Sequence, residues 1–461
     1  MAVAELPIML DRADRTPLAA QLAGRLRQAI LDGTLRAEDS LPSSRGLATN
    51  LGISRGVVVR AFEQLTGEGY LEGRGAAGTR VAVRPDLPRP APPPGTAPRG
   101  EPPRTLIDLT PGRPSAQPFR DRAWRAAWRS AVPAHETTAL PPALGVPALR
   151  AAIAAHLASS RGVLADPGDV IVTAGTSDAL QLLVTALRAG SARPRILVED
   201  PGYPTARRVL SAAGATVEPL PVGPDGLRAD QLASLPHTPD AVLVTPSHQY
   251  PLGGRMPIGE RLALLAWATE NNVLVLEDDY DSEFRHRRMP LPAVASLPSQ
   301  AEVVLVGTFS KTLSPWLRCG YLVVRGDAGR TLKNTRLDLD TPVSGTLQTA
   351  LAHYIDGGGL ARHTARARRE YAHRRRLLLE RLGPREDVDL TALDGGLHAV
   401  LRFGAGTDAD QLAAALHQRG IRVPTLAHYY AGRPPANGLV IGYGAPTDLE
   451  LTQALDTLLT L

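Results

Sequence analysis

Residues 303–318 read VVLVGTFSKTLSPWLR, an apolar run followed by a polar turn that carries a lysine. The run has the length and the β-branched content of a strand buried on both faces of a parallel sheet. Ligands bind such sheets beyond the carboxyl ends of the strands, which is where Lys311 lies. Of the 51 basic residues only two are lysines, Lys311 and Lys333. Arginine cannot form an imine, so Lys311 is a candidate nucleophile, although most lysines are ordinary surface residues.

Four further apolar runs alternate with helical patterns in the same part of the chain. They cover residues 170–173, 196–199, 241–245 and 273–277. Together with 303–307 they predict an α/β domain with a mainly parallel sheet. The residues that follow each run are therefore expected at one edge of that sheet.

Two of these strand ends carry groups that suit a phosphorylated ring. The first ends in Ala174-Gly175-Thr176-Ser177 and leads into a helix that we expect to begin near Asp178. Such a turn can hold a phosphate at the helix N-terminus, but many ordinary strand-to-helix turns look the same. The second strand ends at Tyr203, which is either a ring-stacking residue or a half-buried loop aromatic.

The fourth strand ends in a cluster of acidic residues, Glu277-Asp278-Asp279-Tyr280-Asp281. One interpretation is a divalent-metal site. The other is a single carboxylate held against a cationic ring nitrogen, with the remaining carboxylates solvated or paired to Arg285, Arg287 and Arg288. Taken alone, the cluster does not decide between the two.

The strand ends taken together are more specific than any one of them. A phosphate turn, an aromatic ring, a carboxylate and a lysine describe a pyridoxal phosphate site without a metal. In such a site the lysine forms the Schiff base, the carboxylate keeps the pyridine nitrogen protonated and the helix N-terminus takes the phosphate.

Residues 105–461 resemble the class I aminotransferase family of fold type I. The resemblance rests on PALRAAI at 147–153, EDDYDSEF at 277–284 and GTFSK at 307–311. It implies an α/β fold type I, PLP-dependent transferase-like domain. The residues that it implies for the cofactor are Lys311 as the Schiff-base lysine, Asp278 at the pyridine nitrogen, Tyr280 at the ring hydroxyl, Tyr203 on the ring, and Gly175, Thr176, Ser177, Thr308, Ser310 and Arg318 around the phosphate.

The chain departs from that family at two motifs. Many aminotransferases have Asn-Pro-Thr-Gly where this chain has Tyr250-Pro-Leu-Gly253, and the enzymes place an arginine for the substrate carboxylate where it has Val440-Ile-Gly-Tyr443. Arg433 is the candidate substitute for that arginine. We therefore expect at most residual transaminase activity. A working aminotransferase with an accessory DNA-binding domain is the alternative, followed by a sugar-phosphate aminotransferase or a decarboxylase.

Residues 1–83 predict three helices and a glycine-rich hairpin, which is a mainly α winged helix-turn-helix pattern. Thr16 is expected to cap a first helix that begins at Pro17, and Ser43 and Ser54 are expected to cap the next two. An ordinary three-helix bundle with solvated arginines would show the same spacing.

The motifs LPSSRGLA at 41–48, LGISR at 51–55, AFEQL at 61–65 and EGYL at 68–71 resemble the DNA-binding domain of the GntR family. The third helix also leaves Arg60 off its apolar face. The residues expected at the DNA are Arg45, Ser54, Arg55, Val57, Arg60 and, in the wing, Thr79.

Residues 84–104 separate the two parts, and nine of these 21 residues are proline. This composition predicts an extended spacer, on the order of 65 Å at most. A GntR-type domain at 1–83, such a linker and an aminotransferase-like domain at 105–461 resemble the MocR subfamily of transcription regulators, as does PSHQYPLG at 246–253. The resemblance implies double-stranded operator DNA, a small amine or amino-acid effector or PLP itself, and a homodimer.

Composition excludes several other classes of protein. The chain has 461 residues with 43% hydrophobic residues and a net charge of +5, which is ordinary for a globular protein. It has no apolar run long enough for a membrane span, no basic leader and a single cysteine, so the expected compartment is the cytoplasm. The basic run at 366–376 is either a solvated helix face or a surface that touches DNA or the other domain.

Overall fold

The computed structural model describes residues 8–14, 16–73, 78–82, 106–115, 121–134, 139–223, 225–286, 292–383, 388–404, 406–432 and 434–461. The chain forms two compact units, Met1–Gly100 and Glu101–Leu461. The proline-rich spacer at 84–104 lies outside the described residues, so its extended conformation stays a prediction. No described helix is long and apolar enough to cross a membrane.

The first unit contains three helices and one antiparallel hairpin. The elements are α1 (Leu18–Leu31), α2 (Ser44–Leu51), α3 (Arg55–Gly67), β1 (Leu71–Gly73) and β2 (Thr79–Val81). The apolar faces of the helices pack together with Leu71 and Val81 into one core. This is the winged helix-turn-helix architecture that the spacing predicts.

Of the three capping residues predicted in the first unit, only Ser43 makes a capping hydrogen bond. Ser43 caps α2 by accepting a hydrogen bond from the backbone N–H of Gly46 at 3.1 Å. Ser54 stands at the N-cap of α3 but makes no capping bond. The prediction for α1 is wrong by one residue, because Pro17 is the cap position and the Thr16 hydroxyl donates to Asp14 at 3.1 Å instead.

The second unit alternates strands and helices from its first described residues onward. Its elements are β3 (Ile107–Asp108), α4 (Arg122–Ala131), α5 (Pro147–Arg161), β4 (Val170–Thr173), α6 (Thr176–Leu187), β5 (Arg195–Asp200), α7 (Pro204–Ala212), β6 (Thr216–Pro221), α8 (Ala229–Ala233), β7 (Ala241–Val244), α9 (Ile258–Asn271), β8 (Leu274–Asp279), β9 (Val303–Thr308), α10 (Phe309–Thr312), β10 (Gly320–Val323), α11 (Gly326–Leu339), α12 (Gly345–Asp356), α13 (Gly359–Leu382), β11 (Val388–Thr391), β12 (His398–Phe403), α14 (Ala409–Gln418), β13 (Ile421–Arg422), β14 (Asn437–Gly442) and α15 (Asp448–Leu459).

A seven-stranded sheet forms the centre of the second unit, in the order β4-β10-β9-β8-β7-β5-β6. The strands β5 to β9 pair in parallel, and β10 runs antiparallel to both of its neighbours. The mainly parallel sheet is thus confirmed, and the five predicted strands are β4, β5, β7, β8 and β9. The strands without a clear sequence signal are β6, an edge strand with two prolines, and the short β10.

Both faces of this sheet are covered. Within β4, Val170 and Val172 pack on the side of α5 and α12, while Ile171 packs on the side of α6. Because successive side chains point to opposite faces, a run with no polar residue is what a sheet covered on both sides requires.

A smaller layer closes the second unit. The strands β11, β12 and β14 form an antiparallel sheet, and β13 pairs in parallel with β3, with Ile421 opposite Ile107. The first described residues of the unit are therefore held by its C-terminal part. This pairing fixes the segment at 110–113 that leads to the candidate site.

Candidate functional site

A cavity of about 170 Å³ opens where the parallel strands end. It is lined by Thr176, Ser177, Tyr203, Thr245, Tyr250, Asp278, Tyr280, Thr308, Ser310, Lys311, Pro315 and Arg318. Nine of the ten residues expected around a cofactor are in this set, and the tenth, Gly175, precedes Thr176 at the start of α6. The fold therefore brings the predicted residues together.

Lys311 lies on α10, a single helical turn directly after β9. The Thr308 side chain caps that turn by accepting from the backbone N–H of Ser310 at 3.1 Å. Burial lowers the pKa of the Lys311 amine, against the carboxylates of Asp278 and Asp281, which favour its charged form. A lysine in this setting is closer to a free nucleophilic amine than a surface lysine is.

Gly112 makes room for this amine. A Cβ at Gly112 would lie 2.8 Å from the Lys311 Nζ, and its backbone has φ +73°, a region that favours glycine. No sequence pattern indicated this contact, since it joins residues almost 200 positions apart in the chain.

The other lysine is engaged elsewhere. Lys333 on α11 donates to Asp169 at 3.1 Å and is partly buried. Its ammonium is part of an ion pair, and it does not line the cavity.

Three of the four clustered carboxylates have structural partners. Glu277 accepts the backbone N–H groups of Val294 at 3.0 Å and Ala295 at 2.9 Å. Asp279 forms a buried ion pair with Arg161 at 2.7 Å.

Of the three arginines expected near this cluster, Arg285 donates to the backbone oxygen of Ser247. Arg287 and Arg288 lie outside the described residues, so their pairing stays a prediction. The third structural carboxylate, Asp281, contacts His248.

Asp278 is the exception within this cluster. It lines the cavity and is 6% exposed, and its Oδ1 has no hydrogen-bond partner among the described residues. Burial, followed by the charge of Asp279, raises the pKa of Asp278 to about 7, and Lys311 opposes the shift. A buried carboxyl without a partner is costly, so this geometry suits a ligand that brings an N–H donor or a positive charge.

The helix α6 starts earlier in the chain than the sequence predicts. The helix begins at Thr176, two residues earlier than expected, after Gly175 with φ +95°. Asp178 instead accepts the backbone N–H of Ala174 at 2.8 Å and pairs with the buried Arg336 at 2.7 Å. Because the helix starts at Thr176, its first turn lines the cavity, and the free backbone N–H groups of a first helical turn stabilise a bound anion.

Tyrosines form one wall of the cavity. The ring of Tyr250 lies 6.1 Å from that of Tyr203, 5.4 Å from that of Tyr280 and 5.4 Å from that of Tyr429, all edge-on. Tyr250 belongs to the motif at which the sequence departs from the aminotransferase pattern, and burial raises its pKa well above the ordinary value.

His248 is the functional candidate that the sequence reasoning missed. Its Nδ1 lies 2.9 Å from the Tyr280 hydroxyl and 2.9 Å from Oδ2 of Asp281. An ionised carboxylate only accepts hydrogen bonds, so the ring proton is expected on Nδ1. The Tyr280 oxygen then shares the single Nδ1 proton with Asp281, so the hydroxyl proton of Tyr280 does not point at His248 and is available to the cavity. The PSHQYPLG motif contained this histidine, but nothing in the motif indicated its partners.

His398 has a structural role. It bonds the backbone oxygen of Pro251 at 2.8 Å, and burial lowers its pKa to about 4. Donor atoms of His248, Asp281 and His398 lie within 4.8 Å of one another, a spacing that a metal ion could bridge. The hydrogen bonds above already join two of these groups to each other.

A carboxylate clamp is not visible in the described part of the chain. Arg433 lies outside the described residues, and Val440 to Gly442 are buried residues of strand β14. Tyr443 donates to the backbone oxygen of Gly396 at 3.0 Å. Arg318 is the one guanidinium among the cavity-lining residues.

The expected DNA-contacting side chains are accessible on the first unit. Arg45, Ser54, Arg55 and Arg60 are exposed, while Val57 and Thr79 are half-buried. The Arg55 Nε donates to the Ser44 hydroxyl at 3.3 Å, which joins the starts of α2 and α3.

A larger groove of about 710 Å³ lies at the other ends of the strands, beside Asp240, Leu274 and Glu302. It holds none of the groups described above. Ligands of open α/β sheets bind at the carboxyl ends, so the smaller cavity is the candidate site.

Two family models match the chain. The model "Aminotransferase class I and II" covers residues 104–458. The model "Bacterial regulatory proteins, gntR family" covers residues 18–81. Each lies within one of the two compact units.

Curated relatives match nearly the full length. The chain is 41% identical to the HTH-type pyridoxine biosynthesis transcriptional regulator PdxR of Corynebacterium glutamicum, over 96% of this chain and 95% of that protein. It is 35% identical to the probable rhizopine catabolism regulatory protein MocR of Rhizobium meliloti, over 98% and 95%. Among solved structures, an archaeal alanine:glyoxylate aminotransferase aligns with a TM-score of 0.70 over 77% of this chain and 90% of that chain; at 22% identity this is a likeness of fold.

Proposed function

The chain belongs to the aminotransferase class I and II family and to the HTH-type transcriptional regulators that join such a domain to a gntR-family DNA-binding domain, and on this premise we propose that it binds pyridoxal 5'-phosphate at Lys311 and regulates transcription in response. The domain at residues 1–83, in the first unit, reads operator DNA, and the domain at residues 105–461, in the second unit, senses the cofactor. The protein acts as a homodimer in the cytoplasm, since a two-fold dimer matches repeated operator elements.

One observation carries the proposal for the second unit. A chain with 49 arginines keeps one of its two lysines in a buried cavity, opposite a carboxyl that has no partner among the described residues. Asp278 lacks the cationic N–H that its burial calls for, and Lys311 supplies the amine that an aldehyde needs. The donor set fits pyridoxal phosphate.

When bound, the cofactor supplies an aldehyde for an amine and a ring nitrogen that can carry a proton. Asp278 would hold that proton at the ring nitrogen by its negative charge. Tyr280 would donate its hydroxyl proton to the ring oxygen, since His248 occupies its other side. Thr176, Ser177 and Ser310, with Gly175, Thr308 and Arg318, would bind the phosphate, and Tyr203 would exclude water from one ring face.

We further propose that the signal is the cofactor itself. The relative at 41% identity is named for pyridoxine biosynthesis, and it matches this chain more strongly than the one named for rhizopine catabolism. A small amine or amino acid that competes for the same aldehyde is the second candidate effector, with Arg433 as its proposed carboxylate contact. Either ligand switches DNA binding only if it favours one state of the protein over another.

A working aminotransferase is the less supported function. Turnover needs a firm hold on the substrate carboxylate, and the cavity-lining residues offer only Arg318, which the phosphate would occupy. Purified protein incubated with amino-acid panels and a keto acid tests this directly. Many turnovers per active site would favour the enzyme.

Two measurements test the main proposal. Cofactor-saturated protein should absorb in the visible range, and borohydride reduction with peptide mapping should locate the bound group at Lys311. Lys311→Ala should abolish the absorption, while the matched Lys333→Ala should leave it unchanged. An unmodified Lys311 would refute cofactor binding at this site.

The DNA half is tested separately. Binding to the adjacent intergenic DNA is measured with and without pyridoxal phosphate. Arg55→Ala should weaken specific binding by about 1–3 kcal/mol if it makes a bidentate base contact. Unchanged affinity would remove Arg55 from the interface.

A further inference from the structure

The long helix α13 of the second unit carries a row of exposed cations. Arg362, Arg366, Arg369, His373 and Arg376 are all exposed, and they follow each other at intervals of four, three, four and three residues. Such spacing places side chains on one face of a helix. The row spans about 21 Å at 1.5 Å per residue. We call these five residues the arginine face.

The arginine face is largely without counter-charges. Among the described residues no carboxylate pairs with Arg362, Arg369 or Arg376. Arg366 lies 3.9 Å from Asp121, and His373 lies 3.3 Å from Asp448, which also pairs with the buried Arg374 at 3.0 Å. The outward arginines are therefore available to an external anion.

A second row of arginines begins beside it. Arg122, Arg125 and Arg129 are exposed on α4, again at helical spacing, and that helix contains no acidic residue. Its N-cap is Asp121, the residue that contacts Arg366. The two rows together carry seven exposed guanidinium groups.

We propose that the arginine face binds the phosphate backbone of DNA that flanks the operator. Duplex DNA presents one negative charge for about every 1.7 Å of its axis, so a straight row of cations on a rigid helix matches it. Neither helix exposes a large apolar side chain, and protein interfaces rely on such anchors. This inference rests on the proposed function, because it adds a sequence-independent contact to the operator contacts of the first unit.

The test compares two DNA fragments. One ends at the last operator base pair, and the other continues for about 21 base pairs, two helical turns, of unrelated sequence. Wild-type protein should bind the longer fragment more tightly. The variant Arg369→Gln/Arg376→Gln should lose most of that advantage and bind the shorter fragment as wild type does. Its salt dependence on the longer fragment should become shallower by about 0.9 in slope for each phosphate that the variant no longer neutralises.

A matched control removes the same charge elsewhere. Arg228 and Arg330 are exposed on other elements and are paired with Asp230 and Asp327. The variant Arg228→Gln/Arg330→Gln should keep the full length advantage. An arginine-face variant that behaves like this control would overturn the inference and leave the proposed function standing.

Two further outcomes are decisive. If the arginine-face variant keeps its length advantage but changes oligomeric state in size-exclusion chromatography, the face joins copies of this chain, and the DNA inference is wrong. If wild-type protein shows no specific binding to either fragment, the proposed function itself fails.

Discussion

Replacing Asp278 by asparagine should stabilise the cofactor-free protein. Burial raises the pKa of Asp278 from 3.8 to about 7. Between these values the folded chain holds a proton that the unfolded chain has released, so the free energy of unfolding falls as pH rises through this window. At 1.36 kcal/mol per pKa unit, ionisation costs the fold up to about 4 kcal/mol at pH 8. Asparagine has nearly the same shape and never ionises, so Asp278→Asn should recover most of this difference.

Urea unfolding followed by tryptophan fluorescence suits this measurement. All four tryptophans lie in the second unit, at positions 124, 128, 267 and 316, so the signal reports that unit alone. At pH 5 the variant should already be the more stable by about 1–2 kcal/mol, and at pH 8 without cofactor the difference should approach about 4 kcal/mol. Glu199, whose burial also raises its pKa to about 7, should leave the variant a residual dependence on pH.

The exposed Asp327 provides the control, because Asp327→Asn should change stability little at either pH. The reasoning is wrong if Asp278→Asn is no more stable than wild type at pH 8. Added pyridoxal phosphate should reverse the order of stability, since only wild type offers the ring nitrogen a carboxylate.

Three other substitutions probe the same site. Gly112→Ala should lose the visible absorption that cofactor addition produces, because its Cβ would lie 2.8 Å from the lysine amine and its backbone would be strained by about 1–2 kcal/mol. The control Gly259→Ala should keep this absorption, because a Cβ there meets nothing within 4 Å. His248→Gln should raise the pH at which the bound cofactor changes colour by about one unit, because one hydrogen bond is worth about that much. An unshifted titration would exclude a positioning role for His248. Arg161→Met should lower the free energy of unfolding by about 3–5 kcal/mol, because it leaves Asp279 buried and unpaired, and a decrease below about 1 kcal/mol in urea titrations would contradict that ion pair.

The parts of the site that are local in the chain could be predicted. Lys311, Asp278 and Tyr203 each lie within four residues of the end of an apolar run, so the rule that parallel strands deliver ligands at their carboxyl ends is enough to group them. The ends of β4 and β7 were predicted to within a residue for the same reason. Strand patterns are carried by neighbouring residues, and recognising them needs no knowledge of the tertiary fold.

The contacts that escaped prediction join distant segments. Arg161 and Asp279 are 118 positions apart, and His248 and Asp281 are 33 apart. No periodicity in the sequence indicates that residues so far apart form hydrogen bonds or ion pairs. The strands β3 and β13 have two residues each, too few to show an alternation, yet they hold Gly112 beside the lysine. The helix α6 begins two residues before the predicted start near Asp178, whose side chain pairs with Arg336 on a segment more than 150 positions away.

Because Lys333 is engaged by Asp169, the chain offers aldehydes few reactive side-chain amines. Carbonyl compounds ordinarily modify proteins at many surface amines, and each such adduct would dilute a specific signal. Here the basic side chains are almost all guanidinium groups, and the one other side-chain amine lies 3.1 Å from the carboxylate of Asp169. Uptake of a reactive carbonyl can therefore stay close to one equivalent per chain, which lets stoichiometry itself report how full the sensor is.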